Sequence, residues 1–428
     1  MLLGTILAVT STRTLQPAPP PARGQVSEAA AEPLPPVASY LQTRLNPFLV
    51  QLKVDRWHAE GFRGQGIKVA ILDTGFHGYR RYLGKALPAR VTVHSFRKDE
   101  NLEAHNSQHG ILCGEVIHSL APEAELLFAN WEEDRPEQFL KAVQWARMQG
   151  ARVISCSVIE PEWSDGAGGG PVHLELERLL GTGRAAADLL FFASAGNTAR
   201  RHWSGLFRDD GRGFHEWQPG QTGNRLIPLK GSKIVTVELY GLTKAEYELQ
   251  VVDRASGKEV GRARAVPEEE NPSATVQFPR EAEHSYAVRV RHLRGEAGQF
   301  HLVAMGAHLE AATAQGSIPF PGDGAEVLAV GAVDSAGLRL RYSSCGSKTP
   351  SPKPDLVAMV PFPSAWRTKP FTGTSAAAPQ AAALAALFWS RHPDWTAAKV
   401  RASLLESALD LGPPGCDCET GHGMIRLP

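Results

Sequence analysis

Four residues in this chain have the side chains and the settings for acid–base and nucleophilic chemistry at a carbonyl. Asp73 lies in Leu72-Asp73-Thr74-Gly75, directly after the apolar run Ile67-Lys68-Val69-Ala70-Ile71-Leu72. Open α/β sheets build their sites beyond the carboxyl ends of strands, so a carboxylate there suits catalysis. Asp-Thr-Gly is also a turn sequence, and also half of an aspartic-protease pair. No second Asp-Thr-Gly occurs, so that third chemistry requires a homodimer. His109 opens Gln108-His109-Gly110-Ile111-Leu112-Cys113-Gly114, whose apolar spacing fits a core helix with the imidazole at its first turn, facing a cleft or making a structural bond. Ser375 begins a small, apolar, helix-forming run that continues to Leu387. At the N-terminus of such a helix the dipole favours a developing oxyanion, and a serine there can equally be a plain helix cap. Asn197 closes Phe192-Ala193-Ser194-Ala195-Gly196-Asn197. Its carboxamide can donate to an oxyanion or close a turn.

These residues need a scaffold, and the apolar pattern supplies one. Val153-Ile154-Ser155-Cys156-Ser157-Val158, Leu189 to Ser194 and Val327 to Val333 repeat the character of the run before Asp73. Such runs suit strands of a covered parallel sheet. Glu137 to Gln149 places Phe139, Leu140, Val143 and Ala146 near helical spacing. Alternating strand and helix point to a layered α/β fold with a mostly parallel central sheet. Between about residues 205 and 312 the rhythm changes to apolar–polar alternation, as in Lys233 to Leu239 and Ser285 to Arg291, with turn sequences between. That reads as an antiparallel β-sandwich inserted into the α/β domain. The expected organisation is a Pro/Ala-rich leader over 1–40, a first α/β part over 41–204, a sandwich over 205–315 and a second α/β part over 316–428.

Composition narrows the partners. Lys plus Arg equals Asp plus Glu at 45 each, which gives no electrostatic case for nucleic acid. No apolar run approaches the ~20 residues that span a bilayer. Met1 to Val9 is a short apolar stretch of signal-peptide size without the usual basic residues before it. The five cysteines are odd in number, and Cys113 and Cys156 read as buried small hydrophobes. Cys416, Cys418 and His422 form either a metal cluster or a C-terminal turn. Asp209-Asp210-Gly211 is either a calcium loop or a turn.

Taken together and in order, the four segments resemble the subtilase family of serine peptidases. The likeness rests on Asp-Thr-Gly at 73–75, His109-Gly110, Ala195-Gly196-Asn197 and Gly373-Thr374-Ser375-Ala376-Ala377-Ala378-Pro379, with flanking matches such as Lys353-Pro354-Asp355. It covers about residues 45–200 and 316–428. The resemblance implies a subtilisin-like three-layer fold and a serine endopeptidase acting on polypeptides. Ser375 would be the nucleophile, His109 the base and Asp73 its partner, with Asn197 in the oxyanion hole and Ser157 and Val158 lining the substrate cleft. It implies no cofactor for the chemistry, no metal at these residues, and an exported enzyme, secreted or periplasmic. Structural calcium is frequent in the family, but no acidic loop here has clear ligand spacing. The sandwich resembles the pre-peptidase C-terminal type of module.

The chain departs from that pattern in two places. Ile111 stands where the family has a small or hydroxylated residue. The cleft strand, which normally ends Ser-Leu-Gly, reads Ser157-Val158-Ile159-Glu160-Pro161, with Glu160 expected as a solvated rim carboxylate or as a selector for a basic side chain. The altered segment leaves open a second reading, a catalytically weak or inactive binding protein that works through the sandwich. Oligomeric state is not legible.

Overall fold

Runs of Val, Ile, Leu and Ala without polar alternation form strands that must be covered on both faces. Four such runs make the middle of one sheet: β1 (Lys68–Leu72), β4 (Val153–Cys156), β5 (Leu190–Ser194) and β15 (Val327–Val333). With β2 (Val91–Ser95), β3 (Glu125–Asn130) and β16 (Leu356–Met359) they form a seven-stranded sheet of order β16-β15-β5-β4-β1-β3-β2. All its pairings are parallel. The computed structural model describes residues 37–181, 188–241, 245–266, 271–346 and 352–428. The expected leader lies outside the described residues up to Val37, where helix α1 (Val37–Gln51) already begins.

Alternate residues of β1 separate the two covering layers. Val69 and Ile71 join the apolar cluster of α3 (His109–Leu120) and α6 (Thr374–Arg391). Ala70 and Leu72 join the cluster of α4 (Pro136–Met148) and α5 (Pro171–Leu180). This is a three-layer α/β fold. From β1 the chain goes to the edge strand β2 and returns to β3 beside β1, then crosses to the other side and runs outward through β4, β5, β15 and β16, so strand order reverses about β1. The crevice at such a reversal, beyond the carboxyl ends of the strands, is where α/β folds bind. Asp73, Ser157 and Asn197 all follow strands that end there. β4 stops at Cys156, earlier than its apolar run suggests: its last partners are Leu72 and Ala193, after which the neighbouring strands end and the chain turns into the crevice.

Between β5 and β15 lie two antiparallel sheets around one apolar core. One has the order β10-β9-β12-β7-β14, using β7 (Asn224–Pro228), β9 (Ala245–Asp253), β10 (Glu259–Ala265), β12 (Tyr286–Gly295) and β14 (Ala307–Leu309). The other is β11-β8-β13-β6, using β6 (His202–Leu206), β8 (Ile234–Tyr240), β11 (Ala274–Pro279) and β13 (Gln299–Met305). The first strand opens at His202, ahead of the expected boundary. Val235, Val237 and Leu239 of β8 face Leu249 and Val251 of β9 and Phe300 and Leu302 of β13 in the core. Alternation then sends Glu238 and Tyr240 of β8 and His301 of β13 to the opposite face, and β8 also packs against the turn Pro161–Trp163 after β4. Gly166, from the segment after β4, lies so close to His301 that a Cβ there would sit 2.5 Å from the ring. Among the described residues no helix is long and apolar enough to cross a membrane.

Candidate active site

Asp73 leaves β1 buried, at 1% exposure, and both its oxygens are engaged. Oδ1 accepts the Gly75 N–H at 2.9 Å, and Oδ2 meets His109 Nδ1 at 2.6 Å. The glycine after His109 makes this approach feasible. A Cβ on Gly110 would sit 2.5 Å from the Phe76 ring and 2.9 Å from Asp73 Cβ, so only glycine lets the first turn of α3 press against the end of β1. The Gly110 N–H also donates to the Gly75 carbonyl at 2.8 Å. The ring of His109 stands 5.6 Å from Phe371, edge to face, and Nε2 takes no hydrogen bond among the described residues.

Ser375 lies in the first turn of α6, and Gly373 rather than Ser375 occupies the cap position. The first N–H groups of a helix have no partner within it; here the Ala376 N–H turns back to the Gly373 carbonyl at 3.0 Å, and among the described residues the Ser375 N–H has no acceptor. Four residues on, Pro379 has no N–H to give the Ser375 carbonyl, which therefore lacks its helical donor. Ser157 Oγ donates to it instead at 3.4 Å, and the Cys113 thiol approaches at 3.7 Å. Proline thus detaches the serine's turn from the helix ladder, and the segment after β4 holds it. Cys113 Sγ also lies 4.0 Å from Asp73 Oδ2, so one side chain touches both the aspartate and the serine's backbone. Asn197, just beyond β5, accepts through Oδ1 from the Thr374 N–H at 3.0 Å and hydroxyl at 3.3 Å. Its Nδ2 is thereby turned the other way, toward Gly373, where a Cβ would stand 3.1 Å from it. Gly373 has φ +91°, a conformation glycine adopts without strain. The Ser157 hydroxyl faces Ser375, and Val158 beside it is half-buried.

Burial of the His109 ring works to lower its pKa, but the charge and hydrogen bond of Asp73 outweigh it and the net displacement is upward from 6.5. Burial drives the Cys113 thiol well above its usual range, with the Asp73 charge adding to it. Asp73, His109 and Cys113 form the one group of three possible metal-ligand atoms within 4.8 Å of one another among the described residues. A thiol held protonated is a poor metal ligand, and the carboxylate and imidazole are bonded to each other.

One expectation changes, and two alternatives resolve. Glu160 is no solvated rim group: its Oε1 is sealed from water without a hydrogen-bond donor, and burial first, then nearby carboxylates, push it well above the usual carboxylate range. Of the carboxylates Glu133 bears on it most and Glu238 of β8 next, and β8 packs against the turn Pro161–Trp163 that follows Glu160. Asp209 and Asp210 spend their Oδ1 atoms on the N–H groups of Gly211, Gly213, Arg212 and Phe214, which is turn chemistry. Cys416 and Cys418 are free thiols and do not gather with His422.

The sequence reading passed over Glu115, although an acidic residue on the buried side of an apolar helix is a visible signal. From α3 its carboxyl accepts from Ser364 Oγ at 2.7 Å and from the Ala365 N–H. It ties the His109 helix to the segment leading to Ser375. Burial raises its pKa from 4.5 to about 7 against those hydrogen bonds. The folded value exceeds the unfolded one, so stability falls as pH rises from about 4.5 to 7 and stays lower by about 3 kcal/mol above that. Glu115→Gln keeps an acceptor for Ala365 and a donor for Ser364. It should raise the urea midpoint at pH 8 and change it little at pH 4.5. Parallel pH profiles for the two proteins would refute this.

The three-layer α/β fold thus sets an Asp–His pair and the Ser375 turn of α6 at the ends of its parallel strands. The model of the Subtilase family matches residues 64–227 and 251–423, well over half of the chain. The chain belongs to the subtilase family. It is 38% identical over 117 residues to a subtilisin of Bacillus pumilus, a match covering 26% of this chain and 39% of that protein. Subtilisin E of Bacillus subtilis (strain 168) is 38% identical over 102 residues, 22% of this chain and 25% of its own length. The matches thus span well under half of these curated relatives. Among solved structures, the Clostridium perfringens CspB protease superposes with a TM-score of 0.62 at 15% identity, over 86% of this chain and 93% of its own, a likeness of fold.

Proposed function

We propose that the protein is a serine endopeptidase of polypeptides, with Ser375 as nucleophile, His109 as general base, Asp73 as its partner and Asn197 as oxyanion donor. The observation that carries this is the 2.6 Å bond between buried Asp73 Oδ2 and His109 Nδ1, beside a serine turn whose neighbour Thr374 orients Asn197. Ser375 Oγ attacks the scissile carbonyl while His109 Nε2 takes its proton. The oxyanion is met by Asn197 Nδ2 and the Ser375 N–H. His109 then gives the proton to the leaving amine, and a water, deprotonated by the same nitrogen, releases the acyl group. Asp73 holds the Nδ1–H tautomer and stabilises the imidazolium. Substrate lies along Ser157 and Val158. These steps use side chains, peptide and water, without a cofactor. The family likeness supports an enzyme that works outside the cytoplasm, secreted or periplasmic.

The test is labelling with a fluorophosphonate probe, wild type beside Ser375→Ala. Labelling confined to the wild type supports an activated Ser375. A folded wild type that stays unlabelled sinks the proposal and leaves the binding-protein reading, acting through the β6–β14 sheets.

A further inference from the structure

Consecutive peptide N–H groups lead into the serine turn, and each is treated differently. The Gly373 N–H donates to the Tyr342 hydroxyl at 3.2 Å, and the Thr374 N–H donates to Asn197 Oδ1 at 3.0 Å. The Ser375 N–H follows them and has no acceptor among the described residues. Peptide planes are rigid, so the first two bonds set the direction of the third. Tyr342 lies between β15 and β16 and is half-buried. Its oxygen accepts from Gly373, and its own O–H is left for the Thr372 hydroxyl at 3.3 Å.

The tyrosine is itself tied to the chain that carries Asn197. The Tyr342 carbonyl accepts the Ala199 N–H at 3.3 Å, and the Ser344 N–H donates to the Gly196 carbonyl at 3.0 Å. Ser344 Oγ accepts the Thr198 N–H at 3.0 Å and pairs with the Thr198 hydroxyl at 2.8 Å. On the other flank, the Gly196 N–H donates to Thr374 Oγ1 at 3.1 Å. A closed ring of hydrogen bonds thus runs from Tyr342 through residues 196–199 to Thr374 and back through Gly373, with Asn197 inside it. Gly373 is buried, sits at φ +91° and has no side chain to hold it, so its bond to Tyr342 is a main anchor of the turn. We propose that Tyr342 is a positioning residue of the oxyanion pocket: through Gly373 its hydroxyl holds the turn so that Asn197 Nδ2 and the Ser375 N–H converge. The inference rests on the peptidase reading above. Tyr342 acts through the turn and not on the substrate. A phenylalanine keeps the ring but leaves the Gly373 N–H a buried donor without an acceptor, and the turn shifts to find one.

The test measures kcat and KM on a chromogenic peptide for the wild type, Tyr342→Phe, Asn197→Asp and the double variant. Tyr342→Phe should lower kcat about tenfold with KM little changed, because the pocket is used in the transition state. The midpoint of the acid limb should stay in place, since Asp73 and His109 lie outside the ring. Asn197→Asp keeps an acceptor for Thr374 but has no NH₂ to aim, so in that background the same change should cost about threefold or less. A tyrosine that merely props the fold would cost the same factor in both. Thr372→Val, at an exposed position, removes only the hydroxyl beside Tyr342. It should lower kcat about threefold, again less in the Asn197→Asp background, and it reads the same coupling should Tyr342→Phe fail to fold. Full kcat in Tyr342→Phe, or in Thr372→Val where it stands in, overturns the inference, as do equal losses in the two backgrounds. Ser375 labelling in the wild type then leaves the peptidase reading standing. Absent labelling overturns both.

Discussion

Asp73→Asn should lower kcat by about 10⁴ in a protein that still folds, the size of loss seen for the same change in an unrelated serine protease. The hydrogen bonds of Asp73 say why. The Gly75 N–H needs an acceptor and has Oδ1 at 2.9 Å, so the asparagine must keep its oxygen there. Its NH₂ then replaces Oδ2, the atom that meets His109 Nδ1 at 2.6 Å. Donor faces donor unless the imidazole moves its proton to Nε2. In that tautomer Nε2 no longer has a lone pair for the Ser375 proton. The lesion is one of proton placement rather than shape. It shows as a fall in kcat on a chromogenic peptide, with little change in the thermal midpoint. A loss below about tenfold would remove Asp73 from the mechanism.

The same pair fixes the pH profile. Asp73 raises the His109 pKa above 6.5, so the base is protonated and idle to a higher pH than a free histidine would be. The acid limb of kcat/KM should therefore have its midpoint above 6.5, with activity rising as pH rises through it. With a third of the His109 side chain exposed (33%), solvent screens the pair, and added salt should move the midpoint back toward 6.5.

What the sequence disclosed about this protein followed burial. β1, β4, β5 and β15 were legible because a strand covered on both faces must be apolar throughout. The edge strand β2 was not: Thr92, Val93 and His94 are exposed, so no apolar run marks it. Asp73, His109 and Ser375, the residues proposed for the chemistry, could be picked out as a set because each follows a strand or opens a helix, positions that local sequence specifies. The contacts that hold them join distant stretches. The Ser157 hydroxyl reaches the Ser375 carbonyl only because Pro379 vacated it, a consequence readable in principle from proline four residues after serine. Glu160 was read as a rim group because nothing near it in sequence announces its burial or the carboxylates Glu133 and Glu238 that distant segments bring to bear on it. Residues whose environment is made by their own element could be read. Those whose environment is made by another domain could not.

Asn197 gives the second large effect, and two substitutions separate its two duties. Its Oδ1 satisfies the N–H and hydroxyl of Thr374, a residue fully buried at 0% exposure, and its Nδ2 faces the Gly373–Ser375 turn. Asn197→Leu removes both functions. The Thr374 N–H is then a buried donor without an acceptor, which costs about 1–3 kcal/mol of stability. Asn197→Asp keeps the acceptor for Thr374 but presents a carboxylate oxygen where the oxyanion develops. Both variants should lose about 10²–10³ in kcat with KM little changed, because the missing hydrogen bond forms only in the transition state. Only the leucine variant should also melt earlier. If Asn197→Asp kept near-full kcat while Asn197→Leu lost both rate and stability, the asparagine would be a strut for α6 and the oxyanion would have to find its second donor elsewhere. If both lost rate and only the leucine variant lost stability, the carboxamide would be shown to work with its oxygen on the fold and its nitrogen on the reaction.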